Sequence, residues 1–181
     1  MLQITVPGIE LYDEKNEEFI YLKERTLQLE HSLVSLSKWE SKWCKPFISK
    51  TNKTDEEIKD YVKCMTITQN VDPDVYDRLS SSNYDEIEAY INAPMTATTF
   101  KEGRMGGKKH SGVITNEIIY YWMVSLGIQK DYEKWHLNRL LTLIRVCNEK
   151  NTPSKKMSKS EIMKQNAAMN AARRQQFNSK G

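Results

Sequence analysis

Five prolines punctuate this 181-residue chain, at positions 7, 46, 73, 94 and 153. Each removes a backbone donor and fixes φ, so none can sit inside a helix or a central strand without breaking it. The polypeptide between them must therefore fold as short elements. Leu2-Gln-Ile-Thr-Val6 alternates apolar and polar residues and then meets Pro7-Gly8, which predicts a short strand running into a turn. Glu18–Leu22 and Thr26–Glu30 alternate as well, with Leu27 and Leu29 on one face, and a small N-terminal sheet is the expectation. A single long helix from about Glu17 competes with it, because Leu22, Leu29, Leu33 and Leu36 also fit a seven-residue repeat.

From Ser32 the pattern is helical and stops at Pro46. Thr54-Asp-Glu-Glu57 is a capping box for a helix carrying Ile58, Tyr61, Val62 and Met65 at helical spacing. Asp72-Pro73 opens a short helix, and Asn83 is placed to cap another over Tyr84–Ile91, ahead of Pro94. Residues 98–112 hold four of the seven glycines together with Arg104, Lys108 and Lys109, and read as a flexible basic loop. Thr115–Leu126 is apolar and aromatic, with Gly127 able to supply a left-handed C-terminal cap. Asp131 is expected to cap Tyr132–Asn148, a helix so rich in Leu, Ile and Val that it must be buried on most sides. These two would form an antiparallel hairpin with a short link. Ser158-Lys-Ser-Glu161 is a second capping box, opening a terminal helix from Lys159 to about Gln176 whose apolar residues are small or flexible.

The expected fold is mainly α: short helices and an αα-hairpin with a small N-terminal β element, plus a basic C-terminal helix, with an α+β arrangement as the alternative. The expected divisions are 1–97, a loop at 98–114, the hairpin at 115–150 and a tail at 151–181. Charge follows these divisions. Residues 151–181 carry seven Lys and Arg against Glu161 alone, so a basic tail follows a mildly acidic body within a chain of net charge +3. Three widely spaced cysteines, Cys44, Cys64 and Cys147, form no CxxC pattern and point to a reducing compartment. No signal peptide is expected, and the longest apolar run, Ile118–Val124, is far shorter than the roughly 18–20 residues of a bilayer span. A soluble cytoplasmic protein is the expectation.

No catalytic or metal-binding constellation is legible, so no enzyme activity and no cofactor are expected. His136, in Trp135-His-Leu-Asn-Arg139, reads as a general base or ligand only if a partner exists; its ordinary role would be a bond to neighbouring backbone. Asp55-Glu-Glu57 occupies a helix first turn, where negative charge suits the macrodipole. Gly103-Arg-Met-Gly-Gly-Lys108 fails the spacing of a phosphate loop. Residues 115–148 have a helix–turn–helix outline, but the second helix is too apolar to face a major groove, and specific nucleic-acid binding is not expected. The tail could touch phosphates non-specifically.

Trp39 and Trp43 lie four apart and share a helix face with Leu36. Such a stripe is either core packing or a recognition surface for another chain. With Phe47, Trp122 and Trp135 it makes up the candidate protein-binding set; Lys155, Lys156, Lys159, Arg173 and Arg174 form a candidate basic tail.

Three segments carry a family resemblance. Leu27-Gln-Leu-Glu-His-Ser-Leu-Val-Ser-Leu-Ser-Lys-Trp-Glu40 precedes Trp43 and Pro46-Phe47; Tyr121-Trp122 precedes Lys134-Trp-His-Leu-Asn-Arg-Leu-Leu-Thr-Leu-Ile144; and Lys155-Lys-Met-Ser precedes Asn166-Ala-Ala-Met-Asn-Ala-Ala-Arg-Arg174. Together they resemble tail assembly chaperones of long-tailed bacteriophages and related prophages. The resemblance implies a non-enzymatic protein that coats the long apolar tape measure protein in the host bacterial cytoplasm. It would help recruit tail tube subunits and leave before the virion is complete. A homo-oligomer is compatible with that role. The alternatives to it are a structural virion part (a connector or tail-tip protein) or a helix–turn–helix DNA-binding protein. The basic C-terminal helix departs from the acidic character expected of some such chaperones.

Overall fold

The structure, a computed structural model, describes residues 1–13, 17–49, 52–100, 112–151 and 159–177. It divides into two compact units, Met1–Asn148 and Glu149–Gly181. The fold is mainly α with a small β element at the N-terminus, as expected.

In the first unit, strand β1 (Leu2–Val6) pairs antiparallel with β4 (Arg25–Leu29), from Leu2↔Leu29 to Val6↔Arg25. Strand β2 (Ile9–Asp13) pairs with β3 (Glu18–Leu22), from Ile9↔Leu22 to Asp13↔Glu18. The two ladders share one register, so they are the root and the outer half of one long hairpin. The interruption falls at Pro7-Gly8, where proline offers no N–H to the ladder. Arg78 spans the break: its Nη1 donates to the Pro7 carbonyl at 2.9 Å and to the Lys23 carbonyl at 3.4 Å. At Gly8 the strands come so close that a Cβ would lie 3.0 Å from the Leu22 carbonyl oxygen. The competing long helix from Glu17 is excluded, because Leu27 and Leu29 use a two-residue alternation to enter the core, both at 0% exposure.

Helix α1 (Leu33–Trp43) starts at Ser32, whose side chain and that of Ser35 form a reciprocal cap, and ends at Cys44 in a left-handed conformation, φ 50°. Helix α2 (Asp55–Met65) has the expected Thr54–Glu57 capping box. Helix α3 (Asp74–Asp77) follows Pro73. Helix α4 (Ser81–Asn92) begins earlier than expected. Ser80 is its cap, accepting from the Asn83 backbone N–H at 3.2 Å, and Asn83 is the residue that closes the box. Helix α5 (Asn116–Ser125) ends in a Schellman closure: Gly127, at φ 66°, donates to Val124 at 3.1 Å, and Ile128 donates to Met123 at 2.8 Å.

The next helix corrects the sequence expectation. Lys130–Lys134 forms only a 3-10 turn, and α6 runs Leu137–Asn151. Two long-range contacts set its start: Leu137 N–H donates to the His31 carbonyl at 2.7 Å, and Ser32 bridges His136. An extended segment at 135–136 is therefore required where periodicity alone suggested helix.

Two core clusters result. The first gathers Ile4, Val6, Leu27 and Leu29 with Trp39 of α1, Tyr61, Val62 and Met65 of α2, and residues of α3 and α4. The second joins Leu33 and Leu36 of α1 to Ile119 and Met123 of α5 and to Leu137, Leu140 and Ile144 of α6. Helix α1 thus serves both, and Phe47 packs against each. In the second unit, α7 (Lys159–Phe177) forms as expected and is exposed along its described length. No helix among the described residues is long and apolar enough to cross a membrane.

Candidate functional site

The tryptophan stripe turns inward. Trp39 is 1% exposed, and its Nε1 donates to the Glu57 carbonyl at 2.9 Å. One helical turn later Trp43, half-buried, donates from Nε1 to Asp60 Oδ2 at 2.9 Å. Positions 39 and 43 on α1 thus match 57 and 60 on α2, and each indole finds its polar partner inside the same chain. Lys42 pairs with Asp60 and Lys45 with Glu57, which frames the contact with charge. The Lys45 ammonium, first among its contacts, holds the Glu57 carboxyl below the usual carboxylate range. Phe47 stacks on Tyr61 with ring centroids 3.9 Å apart and meets Trp39 edge-on at 5.1 Å. Leu36, at 0% exposure, belongs to the second core. As a partner-binding surface, Leu36 and Trp39 are therefore corrected to core residues, with the stripe's apolar faces filled by α2 and α5.

Sequence reasoning missed Glu40, which lies between the two tryptophans. It is 7% exposed; Oε1 accepts from Phe47 N–H at 2.7 Å, and Oε2 accepts from both Asn116 N–H and Asn116 Nδ2 at 2.7 Å. The carboxylate thereby ties the turn after α1 to the N-terminus of α5, where negative charge is favourable. Among helix-forming residues an interior Glu carries no sequence signal for this role. Glu40→Gln keeps the size but replaces one accepting oxygen with an NH2 group, so an N–H donor of Phe47 or Asn116 faces another donor. The expected cost is about 2 kcal/mol, read from urea unfolding; an unchanged midpoint would refute the role.

A second buried polar group joins β4, α2, α4 and α6. His31 Nδ1 lies 2.6 Å from the Tyr61 hydroxyl, and its ring meets that of His136 at 5.2 Å. His136 accepts at Nδ1 from Asn138 N–H at 3.3 Å, which leaves Nε2–H to donate to the Tyr90 carbonyl at 3.0 Å. Tyr90 donates to Glu30 Oε1 at 2.7 Å, and Asn138 Nδ2 donates to the Ile91 and Ala93 carbonyls at 2.8 Å each, closing the end of α4. Burial, with a smaller contribution from His136, pulls the His31 pKa down to about 3; burial also lowers His136. Burial raises the Tyr61 and Tyr90 hydroxyls above their ordinary range. These groups are neutral around neutral pH and hold elements together. His136 has the backbone-bonded role expected of it.

The remaining candidates scatter. Trp122 is half-buried against the second core. Trp135 precedes α6, stacks on Tyr132 at 4.3 Å and lies under the Arg139 guanidinium at 4.0 Å. Arg145 covers Phe100 at 3.7 Å. Lys159, Arg173 and Arg174 are exposed on α7, whereas Lys155, Lys156 and the 103–108 glycine segment lie outside the described residues. Burial raises the Cys64 thiol pKa. No group of three His, Cys, Asp or Glu among the described residues could hold a metal ion.

What the two cores leave in solvent is apolar surface that periodicity did not single out. On the outer hairpin Tyr12 is 53% exposed, Phe19 69% and Tyr21 67%; on α5 Val124 is 79% exposed, and on α7 Met163 is 74%. Tyr12 and Phe19 pair across the strands with ring centroids 5.0 Å apart. Compared with family models, curated proteins and solved structures, the chain matches none.

Proposed function

We propose that the chain is a non-enzymatic tail assembly chaperone of a long-tailed bacteriophage or prophage. It binds the tape measure protein in the host cytoplasm and helps bring tail tube subunits to it. The observation that carries this reading is the apolar surface left in solvent by a body whose two cores are already filled: Tyr12, Phe19 and Tyr21 on the hairpin, Tyr121 and Val124 on α5, and Met163 and Phe177 on α7. Exposed aromatic and methionine side chains, rimmed by charge, suit a partner that is long, apolar and varied in sequence. The wording of residues 27–47, 121–144 and 155–174 supports the tape measure protein as that partner.

The test is co-expression with fragments of the tape measure protein of a long-tailed bacteriophage. The reading expects fragments that are insoluble alone to be recovered in the soluble fraction, bound to this chain. It also expects Tyr12→Ser with Phe19→Ser to reduce that recovery several-fold. Fragments left insoluble, or the chain found in stoichiometric amounts in purified virions, would count against it. The second result would make it a structural part of the particle.

A further inference from the structure

The outer hairpin continues the core face of its root. Alternation along β1 and β4 turns Ile4, Val6, Leu27 and Leu29 towards the helices, where all four are buried. Carried through the break in the same register, that side next presents Glu10 with Tyr21 and Tyr12 with Phe19, and these aromatics are exposed. The strands run on past the helices that cover the root, leaving a core-like face uncovered.

The charge around it restricts what can cover it. Residues 9–24 carry six carboxylates against two lysines, a net −4. Pairing of two such hairpins sets like charges together. The chain has one described helix of opposite sign with no core of its own. Helix α7 carries Lys159, Lys164, Arg173 and Arg174 against Glu161, a net +3, and is exposed along its described length. Two such helices repel each other as well. Ile162, Met169 and Phe177 lie near one line of α7, with Arg173 between them, and are 44%, 48% and 72% exposed. Methionine sulfur and guanidinium groups both favour aromatic rings. A helix draws most of its stability from a packed face, which α7 lacks in its own unit.

We infer that the aromatic face of the outer hairpin is a docking site for α7 of a second copy of this chain. The contact pairs acidic with basic surface and is heterologous: exchanged reciprocally it closes a dimer, and otherwise it propagates. It goes beyond the chaperone reading, because it concerns the purified chain without client.

Sedimentation velocity on the full chain, over a range of concentrations at low and high salt, tests it. The wild-type chain is expected to self-associate at low salt and to dissociate as salt screens the contact. Two variants alter only exposed charges: Glu10→Lys with Glu18→Lys on the hairpin, and Arg173→Glu with Arg174→Glu on α7. Each alone is expected to self-associate about tenfold more weakly or not at all. An equimolar mixture is expected to form a mixed species, since one partner keeps an acidic hairpin and the other a basic helix. All four changes in one chain leave the hairpin at a net 0 and α7 at −1, with no opposite charge to attract, and should self-associate no better than either variant alone. Circular dichroism of each variant verifies that it folds. A wild-type chain that stays monomeric, variants that associate like wild type, or a mixture that forms nothing would each overturn the inference.

Discussion

Trp39→Ala is expected to destabilise the fold by about 4 kcal/mol, the usual scale for removing a large buried aromatic. The indole is 1% exposed, touches Trp43 and Phe47 with ring centroids at 6.2 and 5.1 Å, and donates to the Glu57 carbonyl. Truncation opens a cavity in the first core and removes the donor bonded to that carbonyl. Chemical unfolding at neutral pH measures it, and a loss below about 1 kcal/mol would show that the site collapses or that Trp39 is not core. Trp43→Ala provides the contrast. Its ring is half-buried under the Lys42 and Lys45 ammonium groups, so the expected loss is smaller, roughly 1–2 kcal/mol. Reduced client binding by Trp43→Ala with an intact fold would make it a rim residue of an interface; Trp39 offers no such outcome.

Acidification is expected to weaken the fold well before the carboxylates titrate. The folded-state pKa of His31 is about 3, against 6.5 for the free side chain. A histidine depressed in this way contributes stability that is fully present above 6.5 and is lost as pH falls towards 3, because the unfolded chain takes up the proton first. At pH 5 the loss from His31 alone is roughly 2 kcal/mol. His136 is lowered as well and adds to it. The groups nearest the His31 ring are the Tyr61 hydroxyl, Phe47 and the neutral His136, and none supplies a negative charge to hold a proton on it. Glu57, with its pKa lowered, joins the loss only at lower pH, so the window from pH 7.5 to 5 isolates the imidazoles. Urea titrations across that window read the slope. His31→Gln can keep the bond to Tyr61 but cannot titrate, and should flatten the slope. Equal slopes in variant and wild type would refute the assignment.

Much of the local structure was legible because its signals span only a few residues. The Thr54–Glu57 box and the left-handed cap at Gly127 each depend on groups close along the chain, and each appears where the residues predict it. Pro7-Gly8 interrupts the strand as expected but does not turn the chain, which runs on into β2 in the same register. The misreadings have a common cause. Asp131 looks like a helix cap, yet α6 starts at Leu137, because the donor there is taken by the His31 carbonyl, far away in sequence. Asn83 has the side chain of a cap, yet it closes a box that Ser80 opens. Glu40 carries no signal in the sequence and is the buried acceptor for two distant segments.

The sequence by itself determined the mainly helical class, the strand alternation at Leu27 and Leu29, the positions of most caps and breaks, and the concentration of positive charge after residue 150. Periodicity and capping act over one or two turns, and composition acts over none, so a linear reading can reach them. Only the tertiary structure decided that Trp39 faces α2 while Leu36 faces α5, that the two buried histidines meet, and that the hairpin runs past its covering helices. Those outcomes depend on which faces meet across dozens of residues. A helix face states that it must be covered, and only the folded chain states by what.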